Sequence, residues 1–349
     1  MMVQQLPDDM IFEILTYVPA DTLYEQRLVS KMWHKFISDP IFISAHLSHA
    51  ESGLIFQDFS TEKLRYKVNF LYLEEGRFRT KDLKLPLLSG AKIRASCNGL
   101  ILLENIPESG DLSVANPVTK QWIKLPPPAP NKLLSSRRIY ASQYGFTWHP
   151  GTNEYKVLCF SERKAVCLIL TLGSDKWELV NVPEQFIQLA RDNTSVNGFL
   201  HSIDGDFDDG DKEDMLSMDT ADKSFHKKKL PKCRGEQDKL LELGGSLSFI
   251  SRIDSTAEFE IWVLKDFDKG DWIKLYSVKL DVGVKLANSR SLDSAKPICC
   301  LMNGKLVVFA VDRSFYAAST QQPWVKRIWN LKTEHCLTHL NTLVSCKTF

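Results

Sequence analysis

A run of carboxylates at residues 204–211 is the part of this sequence that most resembles a metal site. It reads DGDFDDGD, and carboxylate oxygens are the ligands that Ca²⁺ prefers. A calcium-binding loop of the EF-hand type needs glycine at its sixth position and glutamate at its twelfth. Counted from Asp204, those positions hold Asp209 and Met215. We therefore interpret the run as a solvated loop between strands.

Zinc binding and nucleophilic catalysis are no better supported. His335, Cys336 and His339 are close in sequence, but a structural zinc ion needs about four ligands at a recognisable spacing. The run GGSLS at 244–248 lacks the second glycine of a nucleophile elbow, and no phosphate-binding or zinc-protease motif occurs in the chain. The sequence therefore predicts no catalytic residue, no metal and no cofactor, and a protein that is not an enzyme.

The composition indicates a globular chain with a large core. Of 349 residues, 44% are hydrophobic, and the 44 basic side chains nearly balance the 43 acidic ones. Nucleic-acid-binding proteins usually carry a basic excess, and no apolar run approaches the ~18 residues that span a membrane. The start of the chain lacks the pattern of a secretory signal. We expect a cytoplasmic or nuclear protein with reduced cysteines that binds neither nucleic acid nor membrane.

The first 48 residues have the pattern of four short helices. Pro7 suits the first position of a helix, and the apolar residues after it recur at helical spacing. The segment from Thr22 to Glu25 has the spacing of a capping box, which predicts the start of a second helix. Trp33 marks a third helix, and Asp39-Pro40 predicts the start of a fourth. A unit of about 45 residues struggles to bury enough apolar surface alone, so its apolar stripe must pack on the rest of the chain or on a partner.

This segment resembles the F-box motif. The matching positions are Leu6-Pro7, Ile11, Ile14-Leu15, Leu23, Arg27 to Lys31, Trp33 and Ile37 to Phe42. The resemblance implies an F-box domain over residues 1–48 that docks on the Skp adaptor of a Skp–cullin–F-box ubiquitin ligase, and through it on cullin. A partner would then cover the stripe, as amphipathic helical faces often dock in this way. The predicted adaptor-binding residues are Leu6, Pro7, Ile11, Ile14, Leu15, Leu23, Leu28, Val29 and Trp33.

A repeat of strand-length segments fills residues 52–349. Pairs of Asn-Gly or Gly-Gly open hydrophobic strands, and a turn followed by an aromatic residue recurs about every 50 residues, a spacing typical of kelch-type propeller blades. The aromatic residues of the repeat are Trp122, Trp177, Phe225, Trp272 and Trp324. We predict an all-β propeller of six kelch-like blades, in which the turn joins the third and fourth strands. A β-sandwich or an open array of strands is the alternative. Trp122, Trp177 and Trp272 are each expected to be mostly buried between blades.

The same region resembles the F-box-associated domain of plant F-box proteins. The resemblance rests on Ser96 to Leu100, Asn116 to Trp122, Tyr144 to Phe146 and Glu154 to Val157. It implies that this domain binds the protein to be ubiquitinated. The chain is then the substrate-recognition subunit of the ligase. The alternatives are a non-catalytic propeller scaffold that acts outside a ubiquitin ligase, and a propeller enzyme with titratable groups at its channel.

Four variable loops are the candidates for target binding. They are Glu104 to Asp111, Asn131 to Ile139, Ser161 to Lys164 and Ile203 to Glu213. In a propeller they would join the second strand to the third, or one blade to the next, at the end of the blade opposite the aromatic turns. Long irregular loops on a rigid scaffold often carry recognition. Arg137 and Arg138 are the predicted anchors for an acidic partner.

Overall fold

The computed structural model describes residues 6–60, 65–83, 85, 90–105, 111–128, 144–161, 166–183, 193–204, 214–231, 238–253, 257–280, 295–312, 314–330 and 336–347. The chain divides into two compact units, Met1–Pro127 with His335–Phe349, and Pro128–Glu334. The division at residues 48–52 into an F-box and a propeller domain stays a prediction. In the part of the chain that is described, no helix is long and apolar enough to cross a membrane.

Four helices begin the first unit, as the sequence predicts. They are α1 (Asp8–Thr16), α2 (Ala20–Gln26), α3 (Lys31–Ile37) and α4 (Pro40–Leu47). Asp39 caps α4 by accepting a hydrogen bond from the Ile41 N–H at 2.8 Å, and Pro40 takes the first helical turn. The capping box predicted at Thr22 is wrong, because α2 already begins at Ala20, after Pro19. A proline fixes the backbone angle that precedes a helix, so Pro19 sets this start without a side-chain cap.

The described residues form six four-stranded antiparallel sheets, the number predicted for the blades. Blade 1 holds β24 (Cys336–Asn341), β1 (Glu51–Ser60), β2 (Arg65–Glu74) and β3 (Arg77–Asp82), and blade 2 holds β4 (Ala91–Cys97), β5 (Leu100–Asn105), β6 (Leu112–Ala115) and β7 (Trp122–Lys124). Blade 3 holds β8 (Tyr144–His149), β9 (Glu154–Ser161), β10 (Val166–Thr171) and β11 (Glu178–Asn181). Blade 4 holds β12 (Thr194–Val196), β13 (Phe199–Asp204), β14 (Asp214–Asp219) and β15 (Phe225–Lys229). Blade 5 holds β16 (Lys239–Leu243), β17 (Ser246–Arg252), β18 (Glu258–Asp266) and β19 (Asp271–Lys279), and blade 6 holds β20 (Lys296–Leu301), β21 (Leu306–Val311), β22 (Ser314–Ser319) and β23 (Val325–Asn330).

The paired small residues are hairpin turns between the first and second strands of a blade. Asn98 and Gly99 have φ of +48° and +83°, and Asn197 and Gly198 have +50° and +84°. Two successive positive φ values define the tight turn that matches the twist of antiparallel strands, and asparagine and glycine tolerate it best. The turns with aromatic residues join the third strand to the fourth, as predicted. Since the strands are antiparallel, both kinds of turn lie at the same end of each blade.

Apolar cores lie between successive sheets within each unit. In the first unit, Ile55 and Phe70 of blade 1 pack with Ile93 and Ile101 of blade 2. In the second unit, similar clusters join blade 3 to blade 4, blade 4 to blade 5, and blade 5 to blade 6. Gln57 adds a buried polar link in the first unit: its side chain donates to the Ala91 carbonyl and accepts from the Ile93 N–H. Within each unit, successive blades are therefore stabilised by burying apolar faces against each other.

The predicted burial of the repeated tryptophans is right for two of the three. Trp122 is 45% exposed, so its predicted burial is wrong; Trp177 and Trp272 are mostly buried, as predicted. Trp272 does pack between blades, because its Nε1 donates to the Lys229 carbonyl of blade 4 at 3.0 Å and its ring meets Phe249 edge-on. The difference follows from strand alternation: Trp122 lies on the outward face of the three-residue β7, with Lys124 beside it.

Buried histidines should make the stability fall in mild acid. His201 is buried in blade 4 beside the Ser217 hydroxyl, 2.8 Å from its Nδ1, and burial lowers the pKa of this ring to about 3. An unfolded chain takes up that proton near pH 6.5, so stability is lost as pH falls from about 6.5 towards 3, by up to ~1.4 kcal/mol per pH unit. Urea unfolding at several pH values should show a shallower loss in His201→Gln. The exposed His34→Gln is the control; equal pH dependence in both variants would contradict the prediction.

Candidate partner-binding surfaces

The four helices have a small core of their own, which also includes residues from the sheets. Leu15, Leu23 and Phe42 are buried at its centre. Val118 of the blade 2 turn and Leu343, which follows β24, belong to the same cluster. The core of the helices is therefore completed by residues of the blade 2 turn and of the segment after β24.

Hydrogen bonds and ion pairs reinforce this packing. The Tyr24 hydroxyl donates to the Thr119 carbonyl of the blade 2 turn, and the Arg27 guanidinium lies over the Tyr24 ring. Lys81 of β3 reaches the Asp21 carboxylate at 2.7 Å. Burial alone would raise the pKa of Asp21, but the hydrogen bond and charge of Lys81 outweigh it and hold that pKa below its usual value. This pair should stabilise the fold near neutral pH and lose its contribution as the carboxylate protonates in acid.

Helix α1 has two apolar faces, and the fold uses only one of them. Ile11 and Leu15 face the core. Met10 and Ile14 lie four residues apart on the other face and are each about half exposed, and Leu6, which precedes the helix, is exposed to the same extent. Residues four apart lie above one another on a helix, so Met10 and Ile14 form an exposed apolar stripe on α1, which Leu6 precedes in the chain.

Further large apolar side chains are exposed at the turn between α2 and α3. Leu28 is 80% exposed and Val29 is 69% exposed. We call these residues, the α1 stripe and their exposed apolar neighbours the apolar helical surface; its members are Leu6, Met10, Ile14, Tyr17, Leu28, Val29, Met32 and Ile41. Eight exposed large apolar side chains within residues 6–41 make this segment a candidate protein-binding site.

The structure divides the nine predicted adaptor-binding residues into three groups. Leu6, Pro7, Ile14, Leu28 and Val29 are exposed. Ile11 and Trp33 are half-buried against the core, and Leu15 and Leu23 are buried inside it. Leu15 and Leu23 can therefore support the surface only from beneath, whereas the role of the exposed residues stays a prediction. Four exposed residues were absent from the prediction: Met10, Tyr17, Met32 and Ile41. Only the spacing of Met10 and Tyr17 from Leu6 and Ile14 could have indicated the first two.

The predicted loop at 131–139 lies outside the described residues, and the other three predicted target-binding loops are described only at their ends. Those three loops join the second strand of a blade to the third, as predicted. Arg137 and Arg138 lie outside the described residues. At the base of the 204–214 loop, Lys227 pairs with the Asp204 and Asp214 carboxylates at 3.0 and 3.2 Å, and both hydrogen bonds raise the pKa of this lysine. These pairs join the two ends of the loop to β15.

The described residues contain no cluster of metal-ligating side chains. His339 lies buried in β24, where its Nδ1 is 2.9 Å from the Ser96 hydroxyl, while His335 is outside the described residues. The glycine pair of GGSLS forms a hairpin turn between β16 and β17, with φ of +58° at Gly244 and +83° at Gly245. The glycine pair of GGSLS therefore connects two strands of blade 5.

Comparison with known proteins agrees with the class that the helices and blades define, that of an F-box protein. The "F-box-like" family matches residues 3–48, and the "F-box associated beta propeller domain" family matches residues 56–314. The putative F-box protein At4g09190 of Arabidopsis thaliana is 26% identical over 287 residues, which cover 77% of this chain and 70% of the relative. F-box protein CPR1 of the same plant is 26% identical over 352 residues, which cover 88% and 82%. The chain therefore belongs to the plant F-box proteins that carry an F-box-associated β-propeller.

Proposed function

We propose that this chain is the substrate-recognition subunit of a Skp–cullin–F-box ubiquitin ligase. The observation that carries the proposal is the second apolar face of α1, which the fold leaves exposed together with Leu28 and Val29. F-box domains take a Skp-type adaptor as their partner, and an adaptor would bury these side chains. The adaptor would in turn connect the chain to cullin.

In this proposal the chain binds and positions other proteins and performs no chemistry itself. The F-box holds the adaptor, the propeller holds the target, and the assembly raises the effective concentration of target lysines near a bound conjugating enzyme. The chain itself then supplies no catalytic residue. The same proposal places the protein in the cytoplasm or the nucleus, which imaging of a fluorescent fusion would check.

Target binding is proposed for the loops at the ends of the blades opposite the hairpin and aromatic turns. Arg137 and Arg138 remain the proposed anchors for an acidic partner. Because reversing two charges opposes an acidic surface, the double variant Arg137→Glu with Arg138→Glu should capture less of a target while binding the adaptor normally. Equal target capture by the variant and the wild-type chain would remove these residues from the proposal. The kelch-like character of the repeat also remains a prediction.

The adaptor assignment is tested by truncating two adjacent, strongly exposed residues of the apolar helical surface. Leu28→Ala with Val29→Ala should weaken binding of the purified adaptor about 30-fold or more, since large apolar groups dominate interfaces and ~2 kcal/mol corresponds to that factor. The thermal midpoint should stay close to that of the wild type, because both side chains are exposed. Titration by calorimetry gives the affinity.

Leu179→Ala is the matched control. This leucine is 55% exposed on β11 of the second unit, so its truncation should change neither affinity nor stability. If the wild-type chain binds the adaptor and the Leu28/Val29 variant binds it equally well, the assigned surface is wrong. If the wild-type chain does not bind the adaptor at all, the scaffold outside a ligase replaces the proposed function.

A further inference from the structure

One aromatic residue of the repeat differs from the other four in its surroundings. Trp177, Phe225, Trp272 and Trp324 are half-buried, and the Trp272 side chain bonds to the neighbouring blade. Trp122 exposes 45% of its surface. Trp122 occupies the same position in the repeat as the other four aromatic residues but is less buried than they are. Packing among the described residues therefore does not explain why a tryptophan is present there.

Trp122 begins its strand directly after the turn on which the helices rest. In that turn, the Thr119 carbonyl accepts the hydrogen bond from Tyr24. Arg27 covers the Tyr24 ring, with its guanidinium carbon 3.1 Å from the ring centroid, and Leu28 and Val29 follow Arg27 in the chain. The path from Leu28 to Trp122 is thus a short series of residues in contact or adjacent in sequence.

The turn that precedes Trp122 is held in place before any partner binds. Asn116 is fully buried, and its Oδ1 accepts from the Val118 and Thr119 N–H groups at 2.7 and 3.2 Å. The Lys120 ammonium donates to the Pro117 carbonyl across the turn. A side chain presented beside a rigid turn loses little freedom on binding, and tryptophan is among the residues most enriched where interfaces gain their affinity.

We propose that Trp122 is an adaptor-contacting residue and that the adaptor's footprint extends from the apolar helical surface onto the blade 2 turn. This inference rests on the proposed function. Each partner in a stable interface buries roughly 800 Å² of surface. That area is large enough to include both Leu28 and the neighbouring turn. The target is a poorer occupant, because the loops proposed for it lie at the other end of the blade.

Site-specific photo-crosslinking tests the proposal on the full-length chain. Benzoylphenylalanine is placed at position 122, at position 28 as the positive position, and at position 179 as the matched exposed control, and each protein is irradiated with purified adaptor. We expect adaptor crosslinks from positions 28 and 122 and none from 179. In a separate titration, Trp122→Ala should weaken adaptor binding about tenfold, and Leu179→Ala should leave it unchanged.

The outcomes separate this inference from the proposed function. Crosslinks from position 28 alone, with unchanged affinity of Trp122→Ala, would overturn the extended footprint and leave the F-box assignment intact. A crosslink from position 122 to a second copy of the chain would also overturn it. No adaptor crosslink from position 28 and no binding by the wild-type chain would remove the proposed function, and this inference with it.

Discussion

Replacing Asn116 with alanine should destabilise the first unit by about 3–5 kcal/mol, because each buried group left without a hydrogen-bond partner costs roughly 1–3 kcal/mol. The Asn116 amide nitrogen donates to the Thr342 and Val344 carbonyls at 3.0 and 2.7 Å, and its oxygen accepts two backbone N–H groups. Those two carbonyls flank Leu343, which lies in the helical core. One side chain therefore holds the aromatic turn of blade 2 and the segment after β24 together.

The loss should appear in urea unfolding followed by tryptophan fluorescence. Asn330→Ala is the matched control, since this exposed asparagine of β23 accepts one hydrogen bond, from the Ser314 hydroxyl at 3.2 Å, and its truncation should cost less than about 0.5 kcal/mol. An Asn116→Ala protein with the unfolding midpoint of the control would refute the role assigned to the buried amide.

Gly99→Ala should be the other severe substitution, at about 2–5 kcal/mol in total from two effects. Gly99 has φ of +83°, where a side chain costs roughly 1–2 kcal/mol. A Cβ built there would also lie 2.0 Å from the Thr342 hydroxyl and 2.9 Å from the Leu340 carbonyl oxygen. Overpacking of this kind adds about 1–3 kcal/mol, so the hairpin and the segment after β24 could not both keep their positions.

Gly76→Ala separates the two contributions. Gly76 has a similar φ of +74° in the turn between β2 and β3, but nothing lies within 4 Å of the point that a Cβ would occupy. This variant should lose only the backbone contribution. Equal destabilisation of the two variants in thermal unfolding would show that the close approach to Thr342 has no energetic weight.

The blades could be predicted because their turns have strong local chemistry. Asn98-Gly99 and Asn197-Gly198 adopt backbone angles that few other residue pairs accept, so such pairs mark hairpins between hydrophobic strands. The predicted burial of Trp122 failed because a repeat fixes a residue's position in its strand, whereas burial depends on which face of a short strand that position occupies.

The apolar helical surface could likewise be predicted only in part from the sequence. Helical periodicity indicated that α1 is amphipathic, but α1 has one apolar face through Leu15 and another through Ile14. Deciding which of them the protein itself buries requires knowing where Val118 and Leu343 come to lie. Those two residues are distant from α1 in sequence, and no local signal places them there.

The pairing of β24 with β1 has a consequence for biosynthesis. β24 pairs along β1 from Glu51↔Asn341 to Phe56↔Cys336, so the first sheet to leave the ribosome lacks one of its four strands until residues 336–341 have been translated. The same late segment delivers Leu343 to the helices. Truncated chains that end before residue 336 lack both β24 and Leu343. We therefore expect a stably folded helical unit only in chains whose translation has passed this segment.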